Sequence, residues 1–490
     1  MRKNTSTLSK ACMAVAFILI LSIALGSFFS VFRFKYGDGI YGLDKFYEQE
    51  RDTVDMLVLG SSHAFQNINP AILYSEYGMA AYDLCGNRQP MWNTYHYLLE
   101  ALKTQSPKLV ILEAYSTTMT ADYLDEERIF KNTFGLKPSM NLIESLKTTA
   151  PSGEFFEYLF RFYRYHNRYN GDLSRADFEP NLADRQFEDW KGFGCNFHWT
   201  SFEKPDVSET GTLDLSQKTE SYYRKIIELC QEREIPLEIV VSPYVVNSTM
   251  MKRLNRAAEI AEEYGVPFTN YNSDEWFEEV GFDYAADMAD TSHTNHRGHT
   301  KYTLSLGDRL YSTYDLPDRR GEAGWESWER NAEYYWRSLE LQTMREQLSF
   351  YAFLEMLSYS SDFTAVVSIT GDCSDKYEEI AEQLGYHLGI TLETHDIRGT
   401  WIVRDLEVVS QYEEGMERPF VQLDNINIDF SQGDRFRVNG IDVCEEDAVN
   451  ILVYDHINQT YLDGVCFDAD NDLRIRLFNS PSQTGDLAAE

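Results

Sequence analysis

Five short apolar, β-favouring runs punctuate the chain: VDMLVLG (54–60), AAYDLCG (80–86), PKLVILEAYS (107–116), IPLEIVVSPY (235–244) and VPFTNY (266–271). Between them lie amphipathic stretches such as PMWNTYHYLLEALKTQ (90–105) and KTESYYRKIIELCQERE (218–234). This β, α, β, α, β order predicts an α/β fold, a parallel sheet covered by helices on both faces. Ligands of such sheets sit beyond the carboxyl ends of the strands. Gly60-Ser61-Ser62, Cys85-Gly86-Asn87, Glu113-Ala114-Tyr115 and Ser242-Pro243-Tyr244 are therefore expected at one edge.

Residues 117–217 interrupt the pattern with an aromatic-rich insertion, including FFEYLFRFYRYHNRY (155–169), whose stripe of Phe and Tyr predicts core or lid packing. From 325 to about 358 no Gly or Pro breaks the text, which predicts one long connector helix. Beyond Ser361 the period shortens to FTAVVSI, GTWIVRD, INIDF, RFRVNG and VNILVYDH, with Gly and Asp at the turns. The expected organisation is a tip and anchor over 1–35, an α/β domain over 36–322, a connector over 323–360 and a small, mostly β domain over 361–490.

Residues 11–32, ACMAVAFILILSIALGSFFSVF, carry no charge and are long enough to cross a bilayer core of about 30 Å as a helix. A membrane anchor is expected, with a cleaved signal peptide as the rival. Basic residues on both sides of the span leave its orientation open. The 490-residue chain has 44 basic and 79 acidic side chains, a net charge of −35, which repels nucleic acid and anionic surfaces beyond a Debye length. Nucleic-acid binding is set aside. The cysteines outside the span show no CxxC or ligand-like spacing and read as buried small apolar residues.

The candidate chemistry begins at LVLGSSHAFQ (57–66), where an apolar strand ends on a glycine followed by two serines. A serine there serves either as a helix N-cap or as a nucleophile. The second clue is DYAADMADTSHTNHRGHTKYT (283–303). Asp290 lies three residues before His293, a spacing that lets a carboxylate hold one imidazole nitrogen and leave the other free to take a proton from a serine. Ser62, His293 and Asp290 then form a candidate triad. Two alternatives stand beside it: a metal held by His293, His296 and His299, or a plain surface loop. Under the triad reading His296 and His299 are expected on a solvated helix face. His63 is expected to point away from the Ser62 hydroxyl or to cap the helix.

LVLGSSH, CGNRQP after the second strand, and DTSHTNHRG resemble blocks I, II and V of the SGNH/GDSL hydrolase superfamily. The likeness is to its membrane-anchored branch, which is DltD-like and polysaccharide O-acetyltransferase-like, and it spans roughly residues 50–320. The resemblance implies a flavodoxin-like three-layer α/β/α domain with no cofactor and no catalytic metal. Ser62 takes the nucleophile position, His293 that of the base and Asp290 that of its orienting acid. The Ser62 and Gly86 amides match oxyanion donors. It also implies an extracytoplasmic bulk, an envelope polysaccharide or other acyl acceptor as substrate, and a multispanning membrane O-acyltransferase as partner.

One block departs from the pattern: LEAYS stands where Gly-x-Asn-Asp is expected, so one oxyanion donor is missing, a loss worth about 10²–10³ in rate. Asn87 or Gln89 is the expected replacement. His166 and Arg168 of the insertion are candidate substrate contacts, weighed against a hydrogen-bonded surface. FTAVVSITGDCSDKYEEIAEQLG and FRVNGIDVCEEDAVNILVYDHINQTYLDGVCFDAD resemble the halves of an ILEI-type β-domain in swapped order. That likeness implies a glycan-holding accessory module, with a structural cap as the alternative.

Overall fold

The computed structural model describes residues 7–35, 37–122, 125–171, 173, 175–178, 190–392, 397–404, 406–412, 420–424, 426–430, 433–462 and 465–475. The chain divides into two compact units, Met1–Ala332 and Glu333–Glu490.

In the first unit the apolar runs become β1 (Met56–Leu59), β2 (Ala81–Asp83), β3 (Leu109–Glu113), β4 (Leu237–Val241) and β5 (Phe268–Asn270). Every pairing is parallel, in the order β2-β1-β3-β4-β5. The first four strands are wholly buried, which is why they read as unbroken apolar runs rather than as an alternation. Strand order reverses between β1 and β3, and that is where a doubly wound sheet opens a crevice at its carboxyl edge.

Helices α1 (Thr7–Phe32), α2 (Ser62–Phe65), α3 (Pro70–Tyr77), α4 (Met91–Ala101), α5 (Gln217–Glu232), α6 (Ser248–Glu263) and α7 (His296–Thr313) accompany the sheet. Several start on side-chain caps: Asn69 before Pro70, Ser216, Asn247 and Asn295 each accept an amide of the first turn. Met56, Val58, Ile111 and Val240 of the strands share one core with Phe65, Leu73, Tyr302, Leu306 and Leu310 of α2, α3 and α7. Cys12–Phe32 of α1 has a mean hydropathy of 2.5 and no buried side chains, so this helix is long and apolar enough to cross a membrane.

The aromatic stripe of the insertion splits. Tyr158 and Tyr165 are buried beside Phe130 and Phe134, whereas Phe156, Phe160, Phe162, Tyr163 and Tyr169 are exposed. Packing therefore accounts for only part of the stripe.

The unit boundary falls inside α8 (Glu326–Arg345). The single connector helix expected to 358 is two helices, because α9 (Phe350–Tyr359) begins afresh where the Ser349 hydroxyl accepts the Ala352 amide. Leu341 and Met344 of α8 and Phe350, Phe353, Leu354 and Leu357 of α9 all belong to the second unit's core. The break lets both apolar stripes face that core. With α10 (Tyr377–Leu388) they pack against an antiparallel sheet. Its long strands are β6 (Phe363–Thr370), β7 (Gly399–Arg404) and β13 (Ala448–Asp455), between which β8 to β12 lie in sequence over Glu407–Asp442. The β unit thus begins well before residue 361.

Candidate active site at the strand ends

Gly60 closes β1 where no larger residue fits: a Cβ there would come within 2.9 Å of the Cβ atoms of both Ala64 and Glu113. The chain then turns directly into α2. Ser61 is its cap, its hydroxyl accepting the His63 amide at 3.4 Å. The question of which serine caps is thereby answered, and Ser62 is left as the first helical residue. The Ser62 side chain has no hydrogen-bond partner among the described residues, and the residue is 6% exposed. At this position its amide points out of the helix start without an intrahelical acceptor.

The loop before α7 supplies the imidazole. His293 Nδ1 lies 2.8 Å from Asp290 Oδ2, and Asp290 Oδ1 accepts the amides of Ser292 (2.7 Å) and His293 (3.1 Å). Burial raises the Asp290 pKa, but the bond to His293, its charge and the two amides outweigh this and hold the carboxyl below its ordinary range. His293 Nε2 is buried and has no hydrogen-bond partner among the described residues. With Nδ1 engaged, Nε2 is the nitrogen available to accept a proton.

What holds this loop against α2 is Asn67, which the sequence reading passed over. Its carboxamide oxygen accepts both the amide (2.9 Å) and the hydroxyl (2.8 Å) of Thr294, next to His293. About two turns into α7, Thr303 donates to the Asn67 carbonyl and accepts the Asn69 amide. These contacts bridge more than two hundred residues of sequence, so no local signal marks Asn67. Asn295 caps α7 by accepting the amides of Arg297 and Gly298 while its own amide donates to the Ala286 carbonyl.

The His63 ring stacks on Tyr115 at 3.6 Å, meets the edge of Tyr244 at 4.9 Å and lies 5.5 Å from the His293 ring. Ser242, at the end of β4, donates to the His63 carbonyl. The ends of β1, β3 and β4 and the His293 loop therefore meet at one place. Burial, then the neighbouring His293 charge, pushes the His63 pKa well below its ordinary value, so it is a neutral ring packed beside the candidate pair. Ser62 Oγ and His293 Nε2 are not hydrogen-bonded to each other in this structure. Such bonds are often loose before substrate binds.

The oxyanion candidates fare unequally. The Gly86 amide has no acceptor among the described residues. The Asn87 amide donates to Asp38 Oδ2 at 2.9 Å. The Gln89 side-chain amide donates to Thr94 at 3.1 Å. Gln89 thus already spends a donor on Thr94, while the Asn87 side-chain nitrogen has no acceptor among the described residues and its carboxamide oxygen is buried. Where an asparagine was expected, Glu113 ends β3. Its carboxyl accepts the amides of Tyr115 and Ser242, and burial raises its pKa to about 8.

One sequence expectation is corrected here. His296 and His299 are buried, not solvated: Phe193 meets the His299 ring edge-on at 5.0 Å and the Asn196 carbonyl accepts the His296 amide. His293, His296 and His299 do not converge, and no cluster suited to a metal ion occurs among the described residues. Arg168 pairs with Asp177 and donates to the Val31 and Arg33 carbonyls at the end of α1. His166 bonds the Tyr163 carbonyl and stacks on Phe162 in the same region.

No family model, curated protein or solved structure matches this chain.

Proposed function

We propose that this chain is a membrane-anchored serine acyltransferase or esterase of SGNH type, with most of its length outside the cytoplasm and an envelope polysaccharide as substrate. The single observation that carries the proposal is the Asp290–His293 pair, its distal nitrogen unengaged, held by Asn67 against the helix that starts at Ser62. In the proposed reaction Ser62 Oγ attacks an acyl carbonyl and its proton passes to His293 Nε2. The Ser62 and Gly86 amides stabilise the oxyanion. The C–O bond to the leaving alcohol breaks as His293 returns the proton to it, leaving an ester on Ser62. A sugar hydroxyl or water then attacks that ester, with His293 as base again. A multispanning membrane acyltransferase is the proposed source of the acyl group.

A second reading, a glycan-binding or assembly scaffold without catalysis, is favoured by the engaged Gln89 amide and by the missing Ser62–His293 hydrogen bond. A fluorophosphonate probe applied to the full chain separates the two. Labelling that disappears in Ser62→Ala supports the enzyme; a folded wild-type chain that takes no label overturns it.

A further inference from the structure

Beside the end of α1 lies a second cavity that the proposed chemistry does not use. The groove has a volume of about 830 Å³, in the range typical of ligand sites. Its walls include Phe29 of α1 and Leu142, Ile143, Leu159 and Phe160 of the insertion. The insertion is fastened to the same helix end: Phe162 packs on Phe28 at 5.1 Å, and the Arg168 guanidinium donates to the Arg33 carbonyl at 2.8 Å. If α1 spans the bilayer, this groove opens at the interface between hydrocarbon and head groups.

Two further observations bear on its occupant. Met140, Phe156, Phe160 and Tyr163 near it are each more than half exposed, and aromatic and apolar side chains concentrate at membrane interfaces. The charges lining the groove are Arg33, Lys137 and Arg161 against the lone carboxylate of Asp44. Arg33 pairs with Asp44. Arg161 donates to the Phe134 and Leu136 carbonyls, and Lys137 sits over the Tyr47 ring. Neither forms a close ion pair among the described residues, although the Lys137 charge reaches Asp44 and opposes the burial that raises its pKa. Surplus cations in a chain of net charge −35 mark a place that complements an anion.

We infer that the groove is a binding site for an anionic phospholipid, its acyl chain against Ile143, Leu142 and Leu159 and its phosphate at Lys137 and Arg161. The inference rests on α1 being a membrane anchor. An occupied site would hold the insertion at the bilayer surface and set the height of the strand-end site above it.

The test uses the full chain reconstituted in vesicles of equal parts phosphatidylglycerol and phosphatidylcholine, then transferred to detergent for native mass spectrometry. One retained phosphatidylglycerol per chain is expected, preferred over phosphatidylcholine by at least about tenfold, as two basic side chains at a membrane surface imply. Ile143→Trp, which fills the groove, should remove the retained lipid. Lys137→Glu, on an exposed side chain, should remove the preference while leaving fluorophosphonate labelling of Ser62 unchanged. Retention without preference, or retention that neither substitution alters, overturns the lipid site. Alkaline extraction of membranes reads the anchor separately: a chain that is released overturns the anchor, whereas a chain that stays but holds no selective lipid overturns the groove alone.

Discussion

The two sheets of this protein dispose of their polar residues in opposite ways. In the antiparallel sheet of the second unit, polar side chains within the strands satisfy one another or nearby backbone. Asn450 donates to Thr370 and accepts the Glu445 amide, and Ser368 meets Thr400, which in turn donates to the Gly433 carbonyl. In the parallel sheet of the first unit, every carboxyl end points the same way, and several of the polar groups that collect there leave bonds open. His63 Nδ1, His293 Nε2 and both carboxyl oxygens of Asp83 are buried and unpaired among the described residues. A buried polar atom without a partner costs about 1–3 kcal/mol. One sheet is built for stability, and the other holds groups at a cost that a bound reactant can relieve.

The sharpest way to break this comparison is His293→Ala. Loss of a positioned general base should slow labelling of Ser62 by about 10²–10⁴ while thermal unfolding changes little. Parallel removal of one amide in each unit comes next. Asn67→Ala and Asn450→Ala should each cost about 1–3 kcal/mol in denaturant unfolding. Only Asn67→Ala should also slow labelling, because only Asn67 holds a site loop. Equal labelling in the two variants would erase the distinction.

Stability against pH sharpens the picture further. The folded Glu113 pKa of about 8 lies above the ordinary 4.5, so the folded state keeps a proton that the unfolded state releases, and stability falls as pH rises from about 4.5 to 8. The folded His299 pKa of about 3 lies below 6.5, so stability falls as pH drops from about 6.5 to 3. The contributions of these two groups oppose each other between about 4.5 and 6.5. Glu113→Gln should flatten the alkaline limb, whose slope is at most about 1.4 kcal/mol per pH unit. The smallest expected effect is Thr400→Val in the second unit, about 0.5–1.5 kcal/mol with no change in labelling.

Much of the first unit was legible because its signals are local. A wholly buried parallel strand must be apolar at successive positions, so the first four runs announce themselves, and β1 ends on the glycine that the crowding by Ala64 and Glu113 requires. Asp290 and His293 meet because they lie three positions apart in one tight turn. The fate of the other histidines was not local. His296 and His299 look solvated in sequence because nothing nearby covers them; Phe193 and Asn196, about a hundred residues earlier, do so in space. Arg168 reads in sequence as a substrate contact or as part of a hydrogen-bonded surface, and in space the end of α1 offers it two carbonyls.

The chain alone thus determined the apolar helix, the parallel strands, the turn after β1 and the Asp290–His293 pair, since each follows from backbone geometry and burial within a few residues. Only the tertiary structure decided that Ser61 caps and Ser62 does not, that the His63 ring lies beside that of His293, that the Glu113 carboxyl accepts the Tyr115 and Ser242 amides, and that the insertion grips the end of α1. Those outcomes depend on which groups compete for the same hydrogen bond or the same space. That competition is settled by residues brought together from distant parts of the sequence.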